Sequence, residues 1–234
     1  MKREIIQTAD GSTTIHLPDW NEQYHSKHGA IQEAYHVFIK HGLHHYYHSE
    51  QSEESQKDIT ILEIGFGTGL NAFITLLEAQ KLKLSINYKG VEAYPVSEDE
   101  IKALNYIDAL KAKKNETDFQ KLHDVSWEEK HQINNNFILI KQKQFFSEIK
   151  DSEVHNIIYF DAFGARVQPE LWTEAIFKIM FKALKPNGVL VTYSAKGSVR
   201  RAMQAVGFTV ERLPGPPGKR EMLRAIKHLE TLKK

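Results

Sequence analysis

Residues 59–69 read Ile-Thr-Ile-Leu-Glu-Ile-Gly-Phe-Gly-Thr-Gly, a short apolar run that ends in three glycines spaced two apart. The run has the length and the β-branched content of a buried strand, and residues 70–80 have the apolar spacing of a helix. A strand that enters a glycine-rich turn and then a helix lets backbone N–H groups approach a ligand closely. This stretch therefore predicts an α/β fold with a ligand site at the turn.

The spacing of the glycines favours one class of ligand. Dinucleotide-binding enzymes use G-x-G-x-x-G, which would require a glycine where Leu70 stands. The pattern here is E-x-G-x-G-x-G, formed by Glu63, Gly65, Gly67 and Gly69. That form is typical of enzymes that bind S-adenosylmethionine, a ligand with a carboxylate and an ammonium group but no pyrophosphate. We therefore expect these four residues to bind S-adenosylmethionine.

Strands and helices alternate after the glycine turn. This order predicts right-handed crossovers and a parallel sheet covered on both faces. The last two strands, 208–212 and 221–226, are joined by a loop too short for a crossover helix, so they should be antiparallel. We predict a Rossmann-like α/β methyltransferase fold, with a mostly parallel sheet that ends in an antiparallel hairpin. The other predicted elements are strands at 85–91, 137–140, 156–160 and 189–193 and helices at 97–113, 145–149 and 170–184.

The N-terminal segment reads as an addition to that domain. Residues 4–17 predict a hairpin because an Asp10-Gly11 turn separates two β-branched runs. A segment rich in aromatic residues and histidine follows, with a helix from about Ala30, and the polar stretch 49–58 reads as a surface loop. We expect an N-terminal hairpin and helical extension over 1–48 and the Rossmann-like domain over 49–234.

Two further carboxylates end predicted strands. In open α/β sheets the ligand lies beyond the carboxyl ends of the strands, where Glu92 and Asp161 stand. We expect the Glu92 carboxylate to accept hydrogen bonds from the ribose hydroxyls of the cofactor. Asp161 is followed by several residues before the next helix, so we favour an active-site role over a helix cap.

The charge distribution is uneven although the net charge is only +1. Residues 182–234 contain twelve Lys or Arg and three Glu, which indicates an anionic partner on one side of the protein. The chain has no cysteine, which excludes disulfides, thiolate metal sites and cysteine nucleophiles. It starts without an apolar signal core and contains no membrane-length apolar run, so we expect a soluble, cytoplasmic protein.

Four histidines lie at helical spacing in the N-terminal segment, namely His41, His44, His45 and His48. Such spacing places most of them on one face of a helix. Zinc would need further histidine or carboxylate ligands at metal-site spacing, and we find none in the sequence. We therefore expect a histidine-bearing surface helix and no metal site.

The sequence resembles the methyltransferase domain of the MnmC-type enzymes, which complete the 5-methylaminomethyl group on the wobble uridine of certain tRNAs. The resemblance covers nearly the whole chain. The stretches that carry it are Glu22–Ser26 with Gly29, Ala30 and Glu33, Gly65–Asn71, Glu92–Pro95, Asp161–Phe163 with Pro169–Thr173, Tyr193–Ala195 with Val199–Arg201, and Pro214–Gly215 with Lys219–Leu223.

The resemblance implies N-methylation of 5-aminomethyluridine, with or without the 2-thio group, by S-adenosylmethionine. We assign Asp161 the role of positioning the amine and accepting its proton, because alignment of nucleophile, methyl group and sulfur is the main catalytic contribution available. Tyr24 and His25 are second choices, for cofactor contact or base stacking, and Asn71 is expected in the cofactor site. Many members carry Gly-Asp after the third strand to bind the adenine amino group; here Gln144 stands there and would accept that bond. Better-known members are fused to a flavin-dependent oxidase domain. We expect this chain to catalyse methylation only, while a separate enzyme supplies the aminomethyl precursor.

The partner implied by the resemblance is tRNA, and the basic quarter of the chain supplies candidate phosphate contacts. Lys196, Arg200 and Arg201 stand at the start of a predicted helix, and Lys219 and Arg220 stand at the tip of the final hairpin. Arginine suits phosphate because its planar fork donates two hydrogen bonds at once. We expect these five residues to bind the tRNA backbone.

Two other functions remain open at this point. A methyltransferase or aminopropyltransferase that acts on small amines would share the fold and the glycine turn, but it would not need the basic quarter. A non-catalytic RNA-binding module would keep the basic surface without needing the three glycines and Glu92 together. An oxidoreductase that binds a dinucleotide is disfavoured by Leu70.

Overall fold

The N-terminal part of the chain opens with a small antiparallel sheet. The computed structural model describes residues 2–49 and 58–229. Strands β1 (Glu4–Gln7) and β2 (Thr13–Leu17) form the predicted hairpin, and β3 (Glu22–Gln23) adds to β2. The third strand was not predicted because two residues are too few to show an alternating pattern. The predicted loop at 49–58 lies almost entirely outside the described residues.

A single helical segment follows the small sheet. It comprises α1 (Ala30–Ala34), a π-helical stretch over Tyr35–His44 and α2 (His45–Ser49), which confirms the helix predicted from Ala30. Val37, Phe38 and Leu43 on this segment are buried in the same hydrophobic cluster as residues of the central sheet. The segment therefore covers one face of the sheet with its apolar side. The four histidines predicted on its surface, His41, His44, His45 and His48, are all partly or fully exposed.

The central sheet has eight strands in the described residues. Their spatial order is β10-β11-β9-β8-β4-β5-β7-β6. The strands are β4 (Asp58–Ile64), β5 (Ser85–Val91), β6 (Lys130–Asn134), β7 (Phe137–Gln142), β8 (His155–Phe160), β9 (Leu184–Thr192), β10 (Thr209–Pro214) and β11 (Glu221–Ile226).

The strand directions confirm the predicted plan. The five strands β9, β8, β4, β5 and β7 pair in parallel. The last two strands form an antiparallel hairpin, and β11 inserts between β10 and β9 so that it also runs antiparallel to β9. The edge strand β6, antiparallel to β7, was not predicted because its sequence, Lys-His-Gln-Ile-Asn, is polar.

Both faces of the sheet are buried. Along β4, Ile59 and Ile61 pack into the cluster that contains the N-terminal helical segment, while Leu62 and Ile64 pack into a second cluster on the other face. This is the behaviour of a parallel strand covered on both sides. The remaining helices are α3 (Leu70–Leu82), α4 (Glu98–Lys102), α5 (Tyr106–Ala109), α6 (Glu116–Asp124), α7 (Glu174–Ala183) and α8 (Gly197–Ala205).

The helix predicted over 97–113 is wrong, because α4 and α5 are separate short helices. Asn105 lies between them and binds the N-terminal hairpin. Its Oδ1 accepts a hydrogen bond from the Thr13 amide at 2.8 Å, and its Nδ2 donates to the Gly11 carbonyl at 2.9 Å. The side chain of Asn105 thus hydrogen-bonds to the hairpin, and the chain does not continue as one helix from α4 to α5.

The helix predicted over 170–184 is shorter in the structure. A 3-10 turn occupies Pro169–Trp172, α7 begins after Thr173, and residue 184 already belongs to β9. Trp172 is a core residue, 5% exposed, and its Nε1 donates to the Phe163 carbonyl at 2.8 Å. The described part of the chain contains no helix with the length and apolar content needed to cross a membrane.

Candidate active site

The three glycines after β4 adopt backbone conformations that other residues rarely adopt. Gly65 has φ +89°, Gly67 has φ +49° and Gly69 has φ +71°. A Cβ at Gly65 would lie 2.8 Å from the carbonyl oxygen of Asp161, so only glycine lets the ends of β4 and β8 approach this closely. A Cβ at Gly67 would lie 3.1 Å from the Tyr24 ring. The turn therefore exposes backbone where a side chain would fill the space.

Glu92 holds the glycine turn in place. Its Oε2 accepts a hydrogen bond from the Gly67 amide at 3.0 Å, and its Oε1 accepts one from the Tyr94 amide at 2.9 Å. A carboxylate offers about four acceptor sites, so two remain after these backbone contacts. The position expected to bind ribose is thus also the anchor between the end of β5 and the turn after β4.

Asn71 joins two carboxylates beneath the turn. Its Nδ2 donates to Glu63 Oε1 and to Asp161 Oδ2, each at 2.9 Å. Glu63 is fully buried, and burial raises the pKa of its carboxyl group well above the usual value. Glu63 does not line the cleft described below, whereas Asn71 and Asp161 do. The amide of Asn71 therefore fixes the orientation of the Asp161 carboxylate.

The surroundings of Asp161 shift the pKa of its carboxyl group. Burial and, to a smaller extent, the nearby Glu33 carboxylate raise its pKa to about 7 against the opposing effects of the Asn71 hydrogen bond and the Lys219 ammonium. A carboxyl group with a pKa near neutrality can accept and release a proton under ordinary conditions. Such a shift in a cleft is a mark of a functional site.

A cleft of about 1340 Å³ opens at the carboxyl edge of the parallel strands. The N-terminal extension forms one wall of it, in which Trp20 and Tyr24 pack edge-to-face against Phe163 with ring centroids 5.8 and 5.0 Å apart. Burial raises the pKa of the Tyr24 hydroxyl, so it stays protonated. The extension is therefore part of the candidate site and not a separate appendage.

His25 anchors that wall to the glycine turn. Its Nδ1 lies 3.0 Å from Thr14 Oγ1, and its Nε2 lies 3.5 Å from Thr68 Oγ1 within the turn. Tyr106 donates its hydroxyl to the same Thr68 oxygen at 3.0 Å. Burial lowers the pKa of His25 to about 4, so the ring is neutral at pH 7. His25 thus links the N-terminal hairpin to the glycine turn.

Glu33, Tyr193 and Lys219 form a cluster in the cleft that sequence reasoning did not assemble. The Lys219 ammonium pairs with Glu33 Oε1 and lies 3.8 Å from the centroid of the Tyr193 ring. Tyr193 immediately follows β9, so it stands at the same edge of the sheet as Asp161. The position of Tyr193 directly after a parallel strand could have predicted that it lies in the cleft. Glu33 lies in a helix before the central sheet, so no strand end marks its place in the cleft.

Two of the predicted contacts are placed differently from the expectation. Lys219, expected at the tip of the final hairpin as a contact for the tRNA backbone, turns into the cleft, and its side chain is 32% exposed. Gln144 does not line the cleft. Its Nε2 donates to Gln142 Oε1 at 3.0 Å beside a smaller depression, and the neighbouring Phe145 and Phe146 line the main cleft instead.

The other predicted tRNA contacts lie outside the cleft. Lys196 caps α8, and Arg200 and Arg201 lie in the first half of that helix, as predicted. Lys196, Arg201 and Arg220 are exposed, while Arg200 is half-buried. Across residues 2–49 and 58–229, no group of three or more His, Cys, Asp or Glu could hold a metal ion.

Comparison with known proteins places the chain in a family. Residues 105–228 match the sequence profile of a family described as S-adenosyl-L-methionine-dependent methyltransferase. The "tRNA 5-methylaminomethyl-2-thiouridine biosynthesis bifunctional protein MnmC" of Leptospira borgpetersenii serovar Hardjo-bovis is 30% identical over 218 residues, which cover 87% of this chain and 32% of that protein. The protein of the same name from Burkholderia pseudomallei is 28% identical over 237 residues, which cover 94% of this chain and 34% of that protein.

The chain thus spans about a third of the length of these curated relatives, the third that contains the methyltransferase part. The crystal structure of MNMC2 from Aquifex aeolicus superposes with a TM-score of 0.74 at 24% identity, covering 96% of this chain and 69% of that chain, and so shows the same fold. These matches confirm the resemblance to the methyltransferase domain of the MnmC-type enzymes. Since the profile covers more than half of its residues, the chain belongs to this family of S-adenosyl-L-methionine-dependent methyltransferases.

Proposed function

We propose that this enzyme transfers a methyl group from S-adenosylmethionine to the primary amine of 5-aminomethyluridine, with or without a 2-thio group, at the wobble position of tRNA. The observation that carries the proposal is the position of Asp161. Its carboxylate borders the glycine turn, lines the cleft and has a pKa of about 7. The names of the curated relatives and the basic C-terminal quarter support tRNA as the partner.

The residues of the cleft fit S-adenosylmethionine. The bare backbone at Gly65 and Gly67 leaves room that a Cβ would fill, and Glu92 keeps acceptor sites for ribose hydroxyls. The exposed rings of Tyr94 and Phe145, with centroids 6.1 Å apart, offer apolar surface for the adenine. S-adenosylmethionine supplies the methyl group from a sulfonium centre.

The chain's own residues supply orientation and proton transfer. The nucleophile must be the neutral amine, although a lysine-like amine has a pKa of about 10.4. The Asp161 carboxylate, held by Asn71, accepts the proton and aims the lone pair at the methyl group. The N–C bond then forms as the C–S bond breaks. A gap of about three pKa units costs roughly 4 kcal/mol, and desolvation of the amine in the cleft reduces this cost.

The basic residues outside the cleft suit the proposed partner. Lys196, Arg201 and Arg220 are exposed, and the loop that carries Arg220 also delivers Lys219 into the cleft. A tRNA backbone bound to these residues would bring its wobble nucleoside to the cleft opening. Installation of the aminomethyl group must precede this step.

The test is an assay with labelled S-adenosylmethionine and two preparations of one tRNA, followed by nucleoside analysis. One preparation carries 5-aminomethyluridine at the wobble position and the other carries unmodified uridine. We expect label only in the methylated aminomethyl nucleoside. Transfer to small amines with no transfer to tRNA, at rates insensitive to salt, would favour the small-amine transferase instead.

A further inference from the structure

Lys219 has an unusual position for a lysine in a hairpin loop. Such side chains normally extend into water, but this one turns into the cleft and pairs with Glu33 Oε1. Its ammonium lies 3.8 Å from the centroid of the Tyr193 ring, within the range of a cation–π contact. A carboxylate and an aromatic face together therefore bind a primary ammonium inside the cleft.

The two groups that bind the ammonium are held by contacts that do not involve Lys219. Glu33 Oε2 accepts a hydrogen bond from the Ser26 amide at 2.8 Å, and the Glu33 side chain is only 8% exposed. The Tyr193 hydroxyl donates to the Ala162 carbonyl at 2.8 Å, which fixes the ring face. The binding site for an ammonium is thus preorganised and persists when Lys219 leaves.

This ammonium site lies at the reacting end of the cleft. The charge of Glu33 raises the pKa of Asp161 and the charge of Lys219 lowers it, so both groups lie within electrostatic reach of the carboxylate. All four residues, Glu33, Asp161, Tyr193 and Lys219, line the same cleft. An amine bound at Glu33 and Tyr193 would stand beside the proposed proton acceptor.

We propose that Glu33 and the face of Tyr193 form the receptor for the substrate's primary ammonium, which Lys219 occupies in the free enzyme and vacates when the substrate enters. The identity of that substrate rests on the function proposed above. A second ammonium beside Lys219 would place two like charges in one partly desolvated site, which is unfavourable. Exchange of one ammonium for the other keeps the charge of the cleft unchanged.

The exchange gives the enzyme a means of selecting its substrate. An uncharged uridine cannot replace the Lys219 ammonium at Glu33, whereas an aminomethyl group can. Lys219 is able to move because it is partly exposed and stands in a loop between β10 and β11, whereas Glu33 is a buried residue of α1. The receptor therefore discriminates by charge before any methyl transfer occurs.

The experiment compares the affinity of the enzyme for two tRNAs that differ only in the aminomethyl group of the wobble uridine. Binding is measured by anisotropy with S-adenosylhomocysteine present, so that no turnover occurs. The wild type should prefer the aminomethyl tRNA. Glu33→Gln keeps the shape and the acceptor for Ser26 but loses the charge, and it should lower that preference by about tenfold or more, the scale for a buried charge pair.

Three matched variants separate the receptor from a structural role. Tyr193→Leu should lower the preference, whereas Tyr193→Phe keeps the aromatic ring, loses only the hydroxyl bond to Ala162, and should retain most of it. Lys219→Met should retain or increase the preference because the receptor is then empty. The receptor proposal is overturned if Glu33→Gln leaves the preference unchanged, or if Lys219→Met lowers it as much as Glu33→Gln does.

Two controls keep the outcomes distinct. The affinity of each variant for S-adenosylhomocysteine shows whether that variant is folded. If Glu33→Gln fails to fold, the difference in tRNA preference between Tyr193→Leu and Tyr193→Phe tests the receptor instead. Methyl transfer by the wild type is measured on both tRNAs in parallel. If the wild type methylates the aminomethyl tRNA but the variants do not change the preference for that tRNA, the receptor proposal is rejected and the proposed function stands. No transfer to either tRNA would reject the proposed function itself.

Discussion

The carboxylate of Glu92 accepts a hydrogen bond from the amide of Gly67 at 3.0 Å, which ties the end of β5 to the turn after β4. The two residues lie 25 positions apart in the chain but meet at the carboxyl edge of the sheet. Through this contact one side chain shapes the glycine turn and keeps further acceptor sites for the proposed ligand. Changes at either residue should therefore affect cofactor binding.

Replacement of Glu92 by Gln should weaken S-adenosylmethionine binding by about tenfold, which corresponds to about 1.4 kcal/mol. The amide has one acceptor oxygen, whereas Glu92 accepts from both Gly67 and Tyr94. The Gln nitrogen would face a backbone N–H, so one of these bonds must break. Calorimetric titration of the variant and the wild type measures the change. Equal affinities would show that Glu92 serves neither the turn nor the ribose.

Replacement of Gly67 by Val should abolish detectable S-adenosylmethionine binding. The position has φ +49°, and a Cβ there would lie 3.1 Å from the Tyr24 ring, in the space that the ligand needs. Gly11→Val is the matched control because Gly11 also has positive φ, +85°, but its Cβ would meet nothing within 4 Å. The control should lose stability and keep cofactor affinity. Preferential binding of NAD by the wild type would falsify the cofactor assignment.

Replacement of Asp161 by Asn should lower the single-turnover rate by about 10² or more, the usual scale for loss of a general base. The Asn side chain keeps the shape and can still accept from Asn71 Nδ2. S-adenosylmethionine affinity should therefore change no more than a few-fold. Rapid-quench measurement with the aminomethyl tRNA gives the rate. A rate equal to that of the wild type would move the role elsewhere, with Tyr24 next in line.

The same variant should change how stability depends on pH. Burial raises the pKa of Asp161 from its ordinary value to about 7, so the folded state binds this proton more tightly than the unfolded state. The contribution of Asp161 to the free energy of unfolding therefore falls as pH rises from about 4 to about 7. Asn does not titrate, so Asp161→Asn does not lose stability in this way. The free energy of unfolding of the variant minus that of the wild type should therefore rise across this pH window by up to about 4 kcal/mol.

Urea denaturation of both proteins at several pH values measures that difference. His25 and His123, whose pKa values burial lowers to about 4 and about 3, destabilise the fold as pH falls below their ordinary range. Both proteins contain these histidines, so their effect cancels when the two are compared. A difference in stability that is constant with pH would mean that Asp161 titrates normally in the folded protein.

Affinity for tRNA should fall steeply as salt concentration rises. Each phosphate neutralised contributes about 0.9 to the slope of log affinity against log salt for duplex nucleic acid, and less for single strands. We expect Arg200→Ala, Arg201→Ala and Arg220→Ala each to reduce the slope by about one, without changing S-adenosylmethionine affinity more than a few-fold. Lys114→Ala is the control. Lys114 is exposed and stands just before α6, and α6 packs against β6, the edge strand opposite to β10.

Filter binding across a salt series checks the slopes. A salt-independent affinity, or a reduction by Lys114→Ala as large as that by the arginine variants, would show that the basic C-terminal quarter is not the tRNA contact. Loss of cofactor binding together with tRNA binding would show that these arginines serve the fold.

The features that sequence analysis predicted correctly are those encoded by neighbouring residues. The strand, glycine turn and helix at 58–82 lie in one contiguous stretch, where apolar periodicity and glycine spacing are visible directly. The antiparallel final hairpin follows from loop length alone. Asp161 and Glu92 could be placed in the cleft because the carboxyl ends of parallel strands share one edge of a sheet.

The features that needed the tertiary structure depend on contacts between distant parts of the chain. The break between α4 and α5 arises because Asn105 binds the hairpin at Gly11 and Thr13, more than ninety positions away. Lys219 pairs with Glu33 across 186 positions, and this pairing takes it from the surface into the cleft. Local periodicity determines which face of an element is buried, but the meeting of two charges depends on how those elements pack. The sequence by itself therefore determined the fold and the glycine turn, while only the packing of the N-terminal extension against the final hairpin decided that Glu33 and Lys219 lie near Asp161.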